Sequence, residues 1–160
     1  HCVSNIEDFD KETFFHRILW DHALDEKNGF IKLKDSSKIK KVILCSGKVY
    51  FDLLDARERL KKDDVVLYRI EQLYPFPAKS LVKEIKKYAK IAKFYWCQEE
   101  PKNMGAWFSV RDYIQWTLET ISANNGKITY IGRSPDASPA TGYAKRHISQ
   151  QQEIINKVFE

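Results

Sequence analysis

The fold of this chain is decided by residues 41–70, KVILCSGKVYFDLLDARERLKKDDVVLYRI. The stretch opens with a continuous apolar run, Lys41–Gly47, that ends in a small polar pair. Such a run is typical of a parallel strand buried on both faces. Val49–Leu60 then places apolar residues at helical spacing, and Val65–Ile70 is a second apolar strand. The stretch therefore predicts a strand–helix–strand unit with a crossover connection between parallel strands.

The same alternation of strands and helices continues through the second half of the chain. Helices are expected over residues 78–89, 104–121 and 143–159, and strands over residues 92–97 and 128–132. The connections between these elements are too short for anything but βαβ crossovers. The sequence therefore predicts an α/β fold, with a mostly parallel sheet and helices on both faces.

Residues 1–38 differ in character from the rest of the chain. They begin with an acidic, broken stretch and end in the linker sequence DSSK at 35–38, and residues 13–23 are compatible with a short amphipathic helix. We interpret 1–38 as a lead-in arm and linker from an upstream domain, and 39–160 as the α/β domain. Because the first residue is His1 rather than Met, we expect a fragment of a longer protein.

The composition excludes several classes of protein. With 160 residues, 43% of them hydrophobic and 31% charged, the chain has enough apolar sequence for one folded domain. No apolar run approaches the length of a membrane span, and the start lacks the character of a signal peptide, so no membrane partner is expected. The cysteines at 2, 45 and 97 cannot form a closed disulfide framework, which predicts a reducing, intracellular compartment.

Lysines account for most of the net charge of +5. One group precedes a strand and another surrounds a helix; the residues are Lys38, Lys40 and Lys41, and Lys83, Lys86, Lys87, Lys90 and Lys93. Recognition of nucleic acid requires aromatic side chains interleaved with arginine, or a known module. The aromatic residues here fall mostly within predicted strand and helix cores. A solvated helix face explains the lysines, and no nucleic-acid partner is expected.

Two dense polar stretches follow predicted strands, CQEEPKNMGAW at 97–107 and GRSPDASPATG at 132–142. The carboxyl ends of strands form the functional edge of an open α/β sheet. Glu99 and Glu100 are open to two interpretations, a general acid and base pair or polar contacts with a neighbouring domain. Neither has a nucleophile or second catalytic group nearby in sequence, so a domain-interface loop that includes Asn103 is favoured. No catalytic residue is predicted.

The glycines and cysteines carry no phosphate-loop, dinucleotide or zinc signature, so no metal site is predicted.

The arginines indicate a candidate binding site for an anion. Arg69 lies near the end of the second strand and Arg133 follows the fourth, so both can point to one sheet edge, with Lys145 and Arg146 following in the last helix. Arginine forks match the geometry of a nucleotide phosphate. The alternative is a set of salt bridges, with Glu71, Glu99 or Glu100 as partners.

Four motifs, in order along the chain, resemble a known family. They are VILCSGKVY at 42–50, RIEQLYPFP at 69–77, WCQEEPKNMGAW at 96–107 and the stretch from Gly132 to Tyr143. Together they are similar to the C-terminal region of the thiamine-diphosphate-dependent decarboxylating subunit of 2-oxoglutarate dehydrogenase, across residues 1–159. The second and third motifs favour the 2-oxoglutarate enzymes over their pyruvate and transketolase relatives.

This resemblance implies a transketolase-type C-terminal domain, whose mostly parallel sheet carries one antiparallel strand. It also implies an oxidoreductase subunit of the citric acid cycle, which decarboxylates 2-oxoglutarate on thiamine diphosphate and succinylates the lipoyl group of a succinyltransferase subunit. In the family, upstream domains hold the thiamine diphosphate and magnesium and supply nearly all catalytic residues. We therefore expect this chain to be inactive alone and to hold no cofactor, in the bacterial cytoplasm or the mitochondrial matrix.

The roles that the resemblance leaves to this chain are assembly and regulation. It implies a homodimer with a second copy of the subunit and, as in some members, binding of AMP or acetyl-CoA. Arg69, Arg133 and Lys145 are the candidates for that anion site, by charge and position. The alternative functions are an autonomous nucleotide-binding α/β module, or the equivalent domain of a related oxo-acid dehydrogenase or transketolase.

Overall fold

The predicted alternation of strands and helices is present in the computed structural model, which describes residues 14–25 and 29–160. The strands within these ranges are β1 Ile18–Leu19, β2 Lys41–Cys45, β3 Val65–Ile70, β4 Lys93–Pro101 and β5 Ile128–Arg133. The α-helices are α1 Val49–Leu60, α2 Ala78–Ile85, α3 Trp107–Thr120 and α4 Ala144–Phe159.

The strands form one sheet in the order β1-β3-β2-β4-β5. β2 pairs in parallel with both β3 and β4, and β4 pairs in parallel with β5. β1 is the antiparallel strand and pairs with β3. The chain leaves β2 for β3 on one side and later returns to place β4 on the other, so the strand order reverses at β2. The prediction of a mostly parallel α/β sheet is confirmed.

Helices cover both faces of the sheet, as predicted. Alternate residues of a strand point to opposite faces, so each strand contributes to two apolar layers. The layer beneath α2 and α3 contains Val42 and Leu44 of β2, and the layer beneath α1 and α4 contains Ile43 and Cys45. Burying one large apolar side chain contributes roughly 1.5–3 kcal/mol, so these two layers are the main favourable term in the stability of the fold. None of the helices in the described ranges combines the length and apolar character needed to cross a membrane.

The prediction of a helix over residues 13–23 is wrong for the described part, residues 14–23. Ile18–Leu19 is a strand, and a 3₁₀ turn follows at His22–Leu24. Backbone pairing with β3 overrides the local helical pattern, since Ile18 lies opposite Ile70 in the sheet. The acidic stretch near the start and Thr13 lie outside the described residues. The boundary at residue 38 stays a prediction, although β1 before it joins the sheet.

A buried ion pair attaches this N-terminal segment to the sheet. Asp21 and Arg57 of α1 are both buried, and the Arg57 guanidinium bonds the Asp21 carboxylate. The same carboxylate accepts hydrogen bonds from the backbone N–H of Leu67 at 2.8 Å and of Ala23 at 2.9 Å. β1 pairs only with Arg69 and Ile70 of β3. The Asp21 carboxylate therefore satisfies the backbone N–H of Leu67, which has no partner on β1.

Candidate anion-binding site

The buried amide of Gln98 organises the first polar stretch. Its Oε1 accepts hydrogen bonds from Trp96 Nε1 at 2.9 Å and from the Trp107 backbone N–H at 3.0 Å. Its Nε2 donates to the Met104 carbonyl at 2.7 Å and to the Pro101 carbonyl at 3.2 Å. One side chain therefore fixes the end of β4, the turn and the start of α3.

Strand β4 ends four residues later than predicted, at Pro101, and bulges against β5. The register partners are Cys97 with Ile131 and Pro101 with Arg133. β4 thus takes four residues where β5 takes two, and Glu99 and Glu100 lie in the bulge, inside the strand rather than in a loop. The bulge turns the Glu99 carbonyl towards β5, where it accepts a hydrogen bond from Arg133 Nε.

The two carboxylates do not form an acid and base pair. Glu99 Oε1 lies 3.3 Å from Lys48 Nζ, and that amine is 2.8 Å from Asp52. The hydrogen bond with Asp52 is the main cause of a raised pKa at Lys48, so its charge is secure. Glu100 is exposed. Glu99 thus forms an ion pair within this chain, and a domain-interface role for Glu99, Glu100 and Asn103 stays a prediction.

Asn103 joins the two polar stretches. Its Nδ2 donates to the Asp136 carbonyl at 2.9 Å, and its Oδ1 accepts from the Asp136 N–H at 3.0 Å. The stretches also approach closely at Gly132, where a Cβ atom would lie 2.2 Å from the hydroxyl oxygen of Tyr130 and 2.9 Å from the Gln98 carbonyl. Only glycine fits at this position. Burial raises the pKa of the neighbouring Tyr130 to about 12, so its hydroxyl stays protonated up to high pH.

A cavity of about 160 Å³ lies where the end of β5 and the loop after it meet α4. It is lined by Pro101, Gly132, Arg133, Ser134, Pro135, Asp136, Arg146, Gln150, Glu153, Ile154 and Lys157. Three of these side chains are basic and two are acidic. Gln150 Oε1 is buried and has no hydrogen-bond partner among the described residues. The cavity has room for a phosphate-sized group and a net positive lining.

Of the three predicted anion ligands, only Arg133 lines this cavity. Lys145 is exposed on α4 and is absent from the lining, whereas the next residue, Arg146, is part of it. One residue along a helix turns a side chain by about 100°, which is enough to remove it from a site. The sequence had singled out Arg146 as suggestive but did not include it among the site residues.

Arg69 does not line this cavity. It lies on β3, and β2 and β4 separate that strand from β5, so three spacings of about 4.8 Å intervene. Its Nε is 2.9 Å from Glu71 Oε1, and its guanidinium carbon is 5.0 Å from the Phe51 ring centroid. For Arg69, the structure shows the alternative of a salt bridge with Glu71, and a role of Arg69 in an anion site stays a prediction.

The described residues offer no group of three or more His, Cys, Asp and Glu side chains that could hold a metal ion. Magnesium bound with a diphosphate requires carboxylate or carbonyl oxygens. The cavity presents two carboxylates among three cationic side chains, which suits an anion better than a metal ion. The cavity therefore does not fit a magnesium ion.

Two buried thiols lie next to the site. Cys45 and Cys97 are opposite each other on β2 and β4, and both are fully buried. Burial raises the pKa of Cys97 to about 12, and that of Cys45 well above its ordinary value. Since the thiolate is the nucleophile, neither is suited to covalent chemistry at neutral pH.

We predict that iodoacetamide at neutral pH modifies neither Cys45 nor Cys97 in the folded chain and modifies both in guanidinium chloride, as measured by peptide mass spectrometry. The same shift has a consequence for stability: above pH 9, the ordinary pKa, the unfolded chain loses the Cys97 proton first. The contribution of Cys97 to stability should therefore be complete below that pH and decline towards pH 12. Alkylation of the folded chain at the rate of a free thiol would contradict the prediction.

Comparison with known proteins places the chain in a family. Residues 3–159 match the family described as "2-oxoglutarate dehydrogenase C-terminal". The chain is 49% identical over 149 residues to the 2-oxoglutarate dehydrogenase E1 components of Brucella anthropi and Brucella ovis, covering 93% of this chain and 15% of each relative. The chain thus spans about a seventh of the length of these relatives.

Among solved structures, the fold is similar to one titled "Split gene transketolase, inactive beta4 tetramer". The TM-score is 0.52 at 12% identity, over 76% of this chain and 39% of that one, which bears on the fold alone. The transketolase-like architecture expected from the sequence is confirmed. With the match over nearly its whole length, the chain belongs to the family of 2-oxoglutarate dehydrogenase C-terminal domains.

Proposed function

We propose that this chain is the C-terminal part of a 2-oxoglutarate dehydrogenase E1 component and that it binds a regulatory anion rather than carrying out the reaction. Identity of 49% to named E1 components supports the first part and favours it over an autonomous module or a related oxo-acid dehydrogenase. The observation that carries the second part is the cavity, whose lining brings together the basic side chains of Arg133, Arg146 and Lys157.

The complete protein would decarboxylate 2-oxoglutarate on thiamine diphosphate with magnesium and transfer a succinyl group to the lipoyl group of a succinyltransferase subunit. The residues for that chemistry and for the cofactor would lie outside this chain. The chain would contribute to a homodimer and to contacts with neighbouring domains, where Glu99, Glu100 and Asn103 are the candidate surface. The bacterial relatives favour the cytoplasm over the mitochondrial matrix as its location.

The chemistry of the cavity favours a phosphate group. The bond from Arg133 Nε to the Glu99 carbonyl orients its guanidinium and leaves the terminal nitrogens for a ligand. Arg146 supplies a second planar fork, and two forks can hold a phosphate through paired, charge-assisted hydrogen bonds. A cavity of about 160 Å³ takes one phosphate but not a whole nucleotide. The rest of AMP or acetyl-CoA would extend over the exposed loop after β5.

Calorimetric titration of the chain with AMP, and then with acetyl-CoA, tests this function. We expect saturable binding that Arg146→Gln weakens by roughly tenfold, since one charge-assisted pair is lost. Lys145→Gln is the matched control: it removes the same charge from the adjacent exposed position and should change the affinity by less than about twofold. Both side chains are exposed, so the melting temperature should not change.

The two variants distinguish binding in the cavity from a general attraction between the ligand and the positive charge of the chain. Equal losses in the two variants would show that overall charge, not the cavity, attracts the ligand. Absence of saturable binding by either ligand would overturn the regulatory role and leave assembly as the function of the chain.

A further inference from the structure

The net charge of the protein is concentrated in one segment. Residues 78–93 contain six lysines and a single acidic residue, Glu84, which is a formal excess of five positive charges. The whole chain also carries +5. The remaining residues are therefore balanced in charge, and the excess is a local property of this segment.

Five of these lysines form one surface, which we call the lysine stripe: Lys79, Lys83, Lys86, Lys87 and Lys90. They follow one another at helical spacing along α2 and the 3₁₀ turn Lys86–Tyr88, and all five are exposed. The opposite side of the same segment is fully inside the protein, since Leu81, Ile85 and Tyr88 are buried. Packing of that apolar side fixes which way the stripe faces.

The far end of the stripe is held in place by two asparagines that follow α3. Asn124 Nδ2 donates to the Lys90 carbonyl at 2.8 Å, and the Asn124 N–H donates to the Ala89 carbonyl at 2.9 Å. Asn125 Nδ2 donates to the Ile91 carbonyl at 3.0 Å. The backbone that carries the last lysine is therefore fixed rather than frayed.

No carboxylate of the described residues lies within ion-pair distance of the stripe, although other lysines of the chain have such partners. Lys34 is 2.8 Å from Asp63, and Lys40 is 3.1 Å from Asp64. Like charges three and four residues apart repel one another, so the stripe carries an electrostatic cost that Glu84, the one acidic residue of the segment, offsets only in part. An external group of negative charges would remove that cost.

We propose that the lysine stripe is a docking surface for the acidic face of another protein. Within residues 78–93 there is no arginine, and the one aromatic residue, Tyr88, is buried, so the stripe offers no platform on which bases could stack. Within the same residues, Ile91 is the one large apolar side chain that is exposed, too little to insert into a bilayer. Rows of ammonium groups attract carboxylates at long range and release them readily, which suits a partner that associates and dissociates quickly.

This surface does not depend on the anion cavity. The stripe lies on α2, in the layer that α2 and α3 form on one face of the sheet, whereas the cavity is lined by α4 on the other. A partner on the stripe and an anion in the cavity are therefore separate events, and the failure of either proposal leaves the other intact.

The test is binding of a fluorescently labelled polyglutamate peptide to the chain at low salt, followed by anisotropy. A triple variant of the stripe, Lys83→Gln, Lys86→Gln and Lys90→Gln, should weaken binding by roughly tenfold. A control triple variant, Lys32→Gln, Lys61→Gln and Lys102→Gln, removes the same charge from exposed lysines elsewhere and should weaken it by less than about threefold. Circular dichroism verifies that both triple variants fold. If the stripe variant does not fold, the double variant Lys86→Gln and Lys90→Gln replaces it.

Equal losses in the two triple variants would overturn the proposal, because total charge would then govern binding. The commitment to a protein partner is tested with a single-stranded oligonucleotide and with vesicles of phosphatidylserine and phosphatidylcholine. Tighter, stripe-dependent binding of either one than of polyglutamate would also overturn it. Selective loss in the stripe variant together with a preference for polyglutamate would support it.

Discussion

Asp21→Asn is expected to lower the free energy of unfolding by about 4 kcal/mol, the largest effect of any single substitution considered for this protein. Asn removes the fully buried one of the two carboxylates that pair with the Arg57 guanidinium, and leaves only the partly exposed Glu58 at 3.3 Å. It also replaces one of two acceptor oxygens by an NH₂ group, which faces a backbone N–H of Leu67 or Ala23. Folded domains of this size are stable by about 5–15 kcal/mol, so the loss is a large fraction of the total. Urea unfolding followed by circular dichroism measures it.

Asp35→Asn is the matched control, because that side chain is exposed and its ion pair with Lys38 spans 4.0 Å. The control should change the free energy of unfolding by less than about 0.5 kcal/mol. Adding Arg57→Met to Asp21→Asn should recover part of the loss, since the buried guanidinium that has lost its buried carboxylate is then removed. A loss of under about 1 kcal/mol for Asp21→Asn alone would show that the N-terminal segment is not an integral part of the fold.

Gln98→Leu is expected to lower the free energy of unfolding by about 3 kcal/mol. Leucine has nearly the volume of glutamine but makes no hydrogen bonds. The substitution leaves the buried Trp96 Nε1 and the Trp107 N–H without an acceptor, and the Met104 carbonyl without a donor. Thermal and urea unfolding measure the loss, and the near-ultraviolet circular dichroism of the two tryptophans should change with it.

Gln152→Leu on the exposed side of α4 makes the same chemical change where the amide bonds only the Asn156 side chain. It should alter the free energy of unfolding by less than about 0.5 kcal/mol. If Gln98→Leu were as mild as this control, the hydrogen bonds of Gln98 would not be what holds β4, the turn and α3 together.

The apolar periodicity of the sequence was sufficient for the elements at the centre of the domain. The predicted bounds of α1, Val49–Leu60, and of β3, Val65–Ile70, are those of the structure. Both signals are local, because a buried strand needs a continuous apolar run and a covering helix needs one apolar face. β4 was predicted too short for the same reason: Gln98, Glu99 and Glu100 interrupt the apolar run, and the pairing with β5 resumes only beyond them, at Pro101.

The site was harder to predict than the fold. The sequence indicated Arg133 and the two polar stretches, but it grouped Arg133 with Arg69, and the strand order separates those two residues. It favoured Lys145 over Arg146, although only Arg146 lines the cavity. One feature of the sequence pointed to Gln98: it lies between a tryptophan and two acidic residues at the end of a strand. That pattern does not distinguish a buried amide from a solvated one.

The sequence by itself determined the strand–helix alternation, the mostly parallel α/β sheet and the membership of the family, because apolar spacing and ordered motifs are properties of neighbouring residues. The tertiary structure alone decided which charges meet. It buried Asp21 against Arg57, joined Asn103 to Asp136 and brought Arg133 and Arg146 to one cavity. The physical reason is that an ion pair or a site depends on distances of a few ångströms between residues far apart in the chain. Strand order, register and helix rotation set those distances, and none of the three is encoded locally.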